Sequence, residues 1–316
     1  MRWLQVAFVL LLLLETGFAA DRAPPIMGDY ALDRITPRVY VVHGPNQMPT
    51  PENQAFMNNP GFVVTKAGVV VVDPGSSVQV GEMLLGKIRS VTKAPVVAVF
   101  DTHIHGDHWL GNGAMRAAFP KAKLYAHPEM IARTAAEGAN WVTLMNRLSN
   151  DAITGTRVVA PEIPARHGDQ LAIGELHFRI YHNGKAHTDG DIMIEIVEEE
   201  LMFMGDNGMR ERAGRLDDGD FRGNIEALDM ALATSVEHFV PGHGKTGGRT
   251  VPQAYREWLS RLYAAVKKYR DQGLSDFEMK DKVVADLAAY KSWPNFDTEI
   301  GKLISLAWLQ AEREDF

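Results

Sequence analysis

Thr102-His103-Ile104-His105-Gly106-Asp107-His108 carries three imidazoles and a carboxylate in six consecutive positions, a set of nitrogen and oxygen donors suited to transition-metal ions. In extended or loop backbone, His103 and His105 project to the same side, and Gly106 lets the chain turn sharply before Asp107 and His108. One segment can therefore feed two adjacent metals. On a helix the i and i+2 positions diverge, and the upstream run Pro95-Val96-Val97-Ala98-Val99-Phe100 is short, apolar and β-branched. The motif is expected in a non-helical loop where a buried strand ends.

Working outward, Val39-Tyr40-Val41-Val42-His43, Gly61 to Thr65 and Gly68-Val69-Val70-Val71-Val72-Asp73-Pro74-Gly75 are apolar runs bounded by Gly and Pro. They read as adjacent strands of a mostly antiparallel sheet. Residues 78–91 have helical spacing at Val80, Met83, Leu84 and Ile88, and the strand leading into the histidines follows. A helix near 111–118, a strand Leu124-Tyr125-Ala126 and a helix within 128–150 come next. The pattern then begins again. Val158-Val159, Leu171, Leu176 to Tyr181, Asp191 to Ile196 and Leu201 to Met204 read as strands, with a helix at about 222–235. Two strands-then-helices halves imply sheets packed face to face with helices outside. From Pro252 onward about 65 residues carry amphipathic helical spacing, interrupted at Gly273 and Pro294.

Three later segments offer donors at similar places. Gly184-Lys185-Ala186-His187-Thr188-Asp189-Gly190 sets a histidine in a tight loop, Met204-Gly205-Asp206-Asn207 sets an aspartate just past an apolar strand, and Pro241-Gly242-His243-Gly244 brackets a histidine with glycines. In each, a strand end delivers a donor into a loop, where functional groups sit on a rigid scaffold.

Composition bounds the rest. The chain has 316 residues, 46% of them apolar, which is ample material for a core, and its formal charge is −7. That mild acidity argues against a general binder of nucleic acid or anionic membranes. The start differs in kind: Met1-Arg2, an apolar run from Trp3 to Leu14, then Thr16-Gly17-Phe18-Ala19-Ala20. This reads as a secretory leader, residues 1–19, cleaved after Ala19. The run is shorter than the ~20 residues needed to span a bilayer, so a periplasmic or secreted protein without a membrane anchor is expected. With no cysteine, disulfides, a thiol nucleophile and thiolate ligands are all excluded.

Together these motifs resemble the metallo-β-lactamase superfamily in its binuclear hydrolase form, as in glyoxalase II. The resemblance runs from about residue 36 to 245 and rests on Asp73, the His-x-His-x-Asp-His run, His187, Asp206 and His243. It implies a four-layer αβ/βα sandwich over 36–245, with residues 246–316 a helical extension packed on the same domain. It also implies His103, His105 and His187 on one metal, Asp107, His108 and His243 on the other, Asp206 bridging, and Asp73 orienting the motif loop. Donors without sulfur suit zinc, two ions, although iron or manganese would be held by the same atoms. Water between two such cations is acidified to a pKa of ~7, and the resulting hydroxide is the expected nucleophile. Asp107 is placed to accept a proton or steer the attack.

The expected activity is hydrolysis of an ester, thioester or lactam in a small molecule. An aspartate at the bridging position resembles glyoxalase II-like enzymes more than common β-lactamases, whereas export suits a lactamase. The chain also looks like exported superfamily members associated with quinoprotein or sulfur-oxidation systems. An iron-dependent sulfur dioxygenase and a metal-stabilised binding protein without turnover are the alternatives. Outside the donor set, His127 reads as a packing or loop residue, His182 as a turn cap, His167, His177 and His238 as without function, and His43 as a candidate for a site-facing position. Arg210, Arg212 and Arg215 either clamp a substrate anion or belong to a solvated loop. Tyr255, Trp258, Tyr263 and Lys267 either line a substrate mouth or pack a helix. The Pro- and Asn-containing stretch 46–58, with Met48, Phe56 and Asn58, and Asn59 beside it, is expected to form a flexible lid over the metals.

Overall fold

The computed structural model describes residues 22–315; the leader assigned to 1–19 lies outside them. The first half contains β1 (Leu32–Arg34), β2 (Val39–Val42), β3 (Gly61–Thr65), β4 (Gly68–Val72), α1 (Val78–Val91) and β5 (Val96–Phe100). It continues with α2 (Gly106–Trp109), α3 (Asn112–Ala118), β6 (Lys123–Ala126), α4 (Pro128–Leu148) and β7 (Ile163–Pro164). The second half contains β8 (Gln170–Ile173), β9 (Leu176–Tyr181), β10 (Met193–Ile196), β11 (Leu201–Met209), α5 (Phe221–Leu232) and β12 (His238–His243). The chain closes with α6 (Thr250–Arg270), α7 (Asp276–Asp286) and α8 (Phe296–Arg313).

Seven strands form one sheet in the order β1 to β7, and five form the other in the order β12-β11-β10-β9-β8. The first sheet is antiparallel from β1 to β4 and parallel from β4 to β7. The expectation of a mostly antiparallel sheet thus holds for its first half alone. Once α1 intervenes, the chain returns by a crossover, and a crossover lays the next strand parallel. All five residues of β4 are buried, because a strand with helices on one face and a second sheet on the other has no polar side.

Val41, Val63, Val70 and Phe100 of the first sheet meet Phe178, Ile180, Ile194 and Phe203 of the second. Outside the first sheet, Val71 and Val99 pack on Leu84 and Ile88 of α1 and Met115 of α3. α1 starts where Ser77 accepts a hydrogen bond from the Val80 amide at 3.1 Å, a side-chain cap for an otherwise orphaned donor. Outside the second sheet, Met202, Met204 and Phe239 pack against Leu228 of α5, Trp258 and Leu262 of α6 and Ile304 of α8. Tyr255, Trp258 and Tyr263 are therefore helix packing, and Lys267 pairs with Glu314 at 3.5 Å. None of the four faces the cleft.

Other sequence expectations are corrected. Val158-Val159 is a loop, with Val158 exposed. The short edge strands β1 and β7 have too few residues to show alternation. The His motif is non-helical only through His105: Gly106 opens a one-turn helix that carries Asp107 and His108. β11 runs on to Met209, so Asp206 lies inside the strand rather than past it, at a break in its register with β12. Gly205 makes that break, with φ +52 and no room for a Cβ beside the Thr102 hydroxyl.

Candidate metal centre

The ends of β4, β5 and β12, the irregular segment of β11 and the loop between β9 and β10 converge at one end of the two sheets. Donor atoms of His103, His105, His187 and Asp206 form one group, and those of Asp107, His108 and His243 form another, each within 4.8 Å. Asp206 touches both. Its carboxylate lies 3.4 Å from His187 Nε2, 3.2 Å from His108 Nε2 and 3.3 Å from His243 Nε2. The His103 Nε2, His108 Nε2 and Asp206 Oδ1 atoms are buried without a hydrogen-bond partner. Buried polar atoms are almost always satisfied, so unsatisfied donors of metal-ligand type facing one another fit divalent cations.

Four ligand rings are held from behind, that of His103 by the Thr102 hydroxyl, 3.0 Å from its Nδ1. His108 Nδ1 donates to Asp73 Oδ2 at 2.8 Å, His243 Nδ1 to the Met57 carbonyl at 2.9 Å, and His105 Nε2 to Asp218 Oδ2 at 3.1 Å. Each contact fixes a proton on the outer nitrogen, so that the inner one is the nitrogen that offers a lone pair to a cation. Asp73 does more. Its two oxygens also accept from the Thr102 amide at 2.8 Å and the Thr102 hydroxyl at 2.7 Å, so one carboxylate fixes both the start of the motif and the ring of His108. Its φ of +49 is left-handed, a conformation Asp tolerates better than most residues. Neither Asp218 nor the Met57 carbonyl was legible in the sequence, since nothing local marks an acidic loop residue or a carbonyl as a histidine's partner.

Charges match a metal-free ligand set. Burial pushes His187 down to about 3 and His103 well below the ordinary imidazole value, so both rings are neutral. Burial opposes ionisation of Asp107 and Asp206, but His108 and His243 beside them outweigh it and hold both well below the usual carboxylate range. The same contacts raise His108 and His243, burial notwithstanding. Cation binding must displace those protons.

The cleft above the donors is lined by Met48, Pro49 and Met57, by one face of α4, and by Arg212, Arg215, Asp217 and Asp218. Arg212 is 3% exposed, which removes it from the solvated loop. Its Nη1 donates to Asn46 Oδ1 at 3.1 Å and to the Gln47 carbonyl at 3.4 Å. Asn295, its amide turned to meet the guanidinium, accepts from Nε at 3.2 Å. Arg212 thereby ties residues 46–48 to the start of α8. Arg215 pairs with Asp217 at 2.8 Å, and Arg210 donates to the Thr246 carbonyl at 3.2 Å. The expected lid is mostly anchored. Phe56 is core against Tyr30, Asn58 donates to the Asp73 carbonyl at 3.1 Å, and Asn59 to that of Pro241 at 2.8 Å.

Of the remaining histidines, His43 faces Asp33 and Thr246 at 2.8 Å each, away from the donors. His127 caps α4, and its ring stacks on His182 with centroids 3.8 Å apart. His182 donates to the Asp191 carbonyl, bracing the loop that carries His187. His177 pairs with Glu198 on the surface.

Residues 54–243 match the Metallo-beta-lactamase superfamily, and the chain belongs to it. With this His/Asp set intact, it is a metal-dependent hydrolase of that superfamily. The chain is 27% identical over 196 residues to a protein described as a "Probable metallo-hydrolase" from Streptococcus pyogenes serotype M6, covering 61% of this chain and 81% of that one. It is 24% identical over 237 residues to the hydroxyacylglutathione hydrolase of Francisella tularensis subsp. holarctica, covering 75% and 77%. Among solved structures, a metallo-beta-lactamase from Pontibacter korlensis superposes with a TM-score of 0.60 at 18% identity, over 73% of this chain and 99% of that one. The sec-alkylsulfatase Pisa1 from Pseudomonas sp. superposes at 0.68 with 15% identity, over 89% of this chain and 50% of that one. At such identities the likeness is one of fold. No helix among the described residues is long and apolar enough to cross a membrane.

Proposed function

We propose that this protein is an exported hydrolase of carbonyl bonds in small molecules, whether ester, thioester or lactam, working on two zinc ions. His103, His105 and His187 would hold one ion and Asp107, His108 and His243 the other, with Asp206 shared by the two groups. The single observation behind this reading is the position of Asp206, within 3.4 Å of histidine nitrogens from both groups. Two divalent cations at such a site supply Lewis acidity, acidifying water and polarising the scissile carbonyl. Asp107 and Asp206, both held ionised, balance the cations' charge. Asp107 Oδ2 lies 3.2 Å from His243 and 3.4 Å from His108 at the cleft surface, where a free carboxylate oxygen can take a proton from the attacking group. Asp73, Met57 and Asp218 keep the rings aligned, and α4 and the 48–49 segment line the cleft above them.

Elemental analysis of the purified mature protein, run with ester, thioester, phosphodiester and β-lactam substrates, tests this reading. About two zinc ions per chain, with hydrolysis lost in His105→Ala, support it. One iron per chain with oxygen uptake and no hydrolysis overturns it in favour of a sulfur dioxygenase. The N-terminal sequence of the secreted form tests export: a start at Ala20 supports cleavage after Ala19, and an intact Met1 overturns it.

A further inference from the structure

The cleft is lopsided in its chemistry. Arg212, Arg215, Asp217 and Asp218 make one side polar. α4 supplies apolar lining, presenting Trp141, Leu144, Met145 and Leu148 at positions i, i+3, i+4 and i+7, one continuous helical stripe. The inner end of the stripe touches the donors: the Trp141 ring lies 5.0 Å from that of His105. The outer end is open, with Leu148 38% exposed. Leu144 and Leu148 belong to none of the apolar clusters among the described residues, so core packing does not account for them. Met48 and Pro49 line the same cleft, and a methionine adapts its shape to whatever lies against it.

We infer, resting on the hydrolase reading above, that the substrate carries an unbranched apolar chain on its scissile carbonyl and lays it along α4 from Trp141 towards Leu148. The helix sets the length. Seven residues at about 1.5 Å each give a trough of about 10 Å, and an extended hydrocarbon advances roughly 1.25 Å per carbon. The trough therefore accommodates about eight carbons. A chain seated there leaves its carbonyl beside His105 and its leaving group towards the polar wall. Substrates with short or charged acyl groups forgo this contact.

The test is a series of straight-chain p-nitrophenyl esters from two to twelve carbons, assayed with the zinc-loaded enzyme. Burial of one methylene is worth up to about fourfold, so kcat/KM rises two- to fourfold per carbon and levels off near eight. Leu144→Asp puts a charge about 4.5 Å along the trough from Trp141 and moves the plateau to about four carbons. Leu144→Ala shifts the ratio of eight-carbon to two-carbon kcat/KM in the same direction by less, and circular dichroism confirms that both variants fold. Calorimetric titration with straight-chain carboxylates of four to ten carbons reads the trough without turnover. Turnover that is indifferent to chain length and to Leu144→Asp overturns the trough while leaving the hydrolase intact. If no ester is hydrolysed, the carboxylates decide: affinity that climbs to eight carbons and collapses in Leu144→Asp upholds the trough, and flat affinity removes it.

Discussion

Replacing Asp73 by asparagine changes one oxygen to an amide nitrogen and tests how the second ion is held. Oδ1 accepts from the Thr102 amide at 2.8 Å, and Oδ2 accepts from the Thr102 hydroxyl at 2.7 Å and from His108 Nδ1 at 2.8 Å. In Asp73→Asn the carbonyl keeps the Thr102 amide and the new NH2 takes the place of Oδ2. The Thr102 hydroxyl can reverse its role and accept. His108 cannot keep its proton on Nδ1 against another donor, so the proton moves to Nε2, the nitrogen 3.2 Å from Asp206 that must offer a lone pair to the metal. The opposite amide orientation restores His108 but sets two donors against each other at the Thr102 amide, leaving a buried N–H unpaired. Either outcome costs about 1–3 kcal/mol, which corresponds to a roughly 5- to 150-fold weaker ion at the Asp107–His108–His243 group. Backbone strain does not confuse the result, because asparagine accepts φ +49 as well as aspartate does. A competition titration against a chromophoric zinc chelator measures both affinities. The expected result is one ion held as in the parent and one weakened by that factor. Two ions bound with parental affinities would refute the claim that Asp73 sets the tautomer of His108.

Other perturbations probe separate links. A Cβ at Gly242 would sit 1.9 Å from Asp206 Oδ1 and 2.9 Å from the Gly205 backbone, so Gly242→Ala displaces the carboxylate shared by both groups. Bound zinc falls below two per chain by elemental analysis. Asp218→Ala removes the acceptor for His105 Nε2, but Asp218 is 40% exposed on its side chain and water replaces it. The loss of affinity, read in the same titration, stays below about tenfold, smaller than for the buried Asp73. Burial raises Asp191 from 3.8 to about 7, against the hydrogen bonds from Thr188 that favour its charge. Between those values the folded chain keeps a proton that the unfolded chain has lost, so this group's contribution is greatest below pH 3.8 and declines as pH rises through 7. In the metal-free protein, Asp191→Asn should gain about 4 kcal/mol on the parent between pH 4 and pH 8. Urea melts at the two pH values check this, and a difference independent of pH would show that Asp191 is ionised throughout.

Much of the site could be read from the chain because its signals are local. His103, His105, Asp107 and His108 are neighbours in sequence, and Asp73 and His243 follow apolar runs whose β-branched residues announce strands. What could not be read depends on distant approach. Asp218 meets His105, the Met57 carbonyl meets His243, and Arg212 meets Asn46 and Asn295 only after both sheets have formed. Arg212 in particular reads from sequence either as a substrate clamp or as a solvated loop residue amid acids, because charge points to exposure and only packing can reverse it. The aromatic stripe of α6 posed the opposite problem: helical spacing shows that one face is apolar but not whether sheet or substrate covers it.

The sequence by itself determined which atoms are available, namely sulfur-free imidazoles and carboxylates, and that strand ends would present them. It also determined the two-sheet alternation, since apolar periodicity is a property of short segments. Tertiary structure decided which donors share a group, which nitrogen of His105, His108 and His243 faces inward, and that α4 lines one side of the cleft. Those outcomes arise from contacts between residues far apart in the chain, whose geometry exists only when the sheets close on a common core.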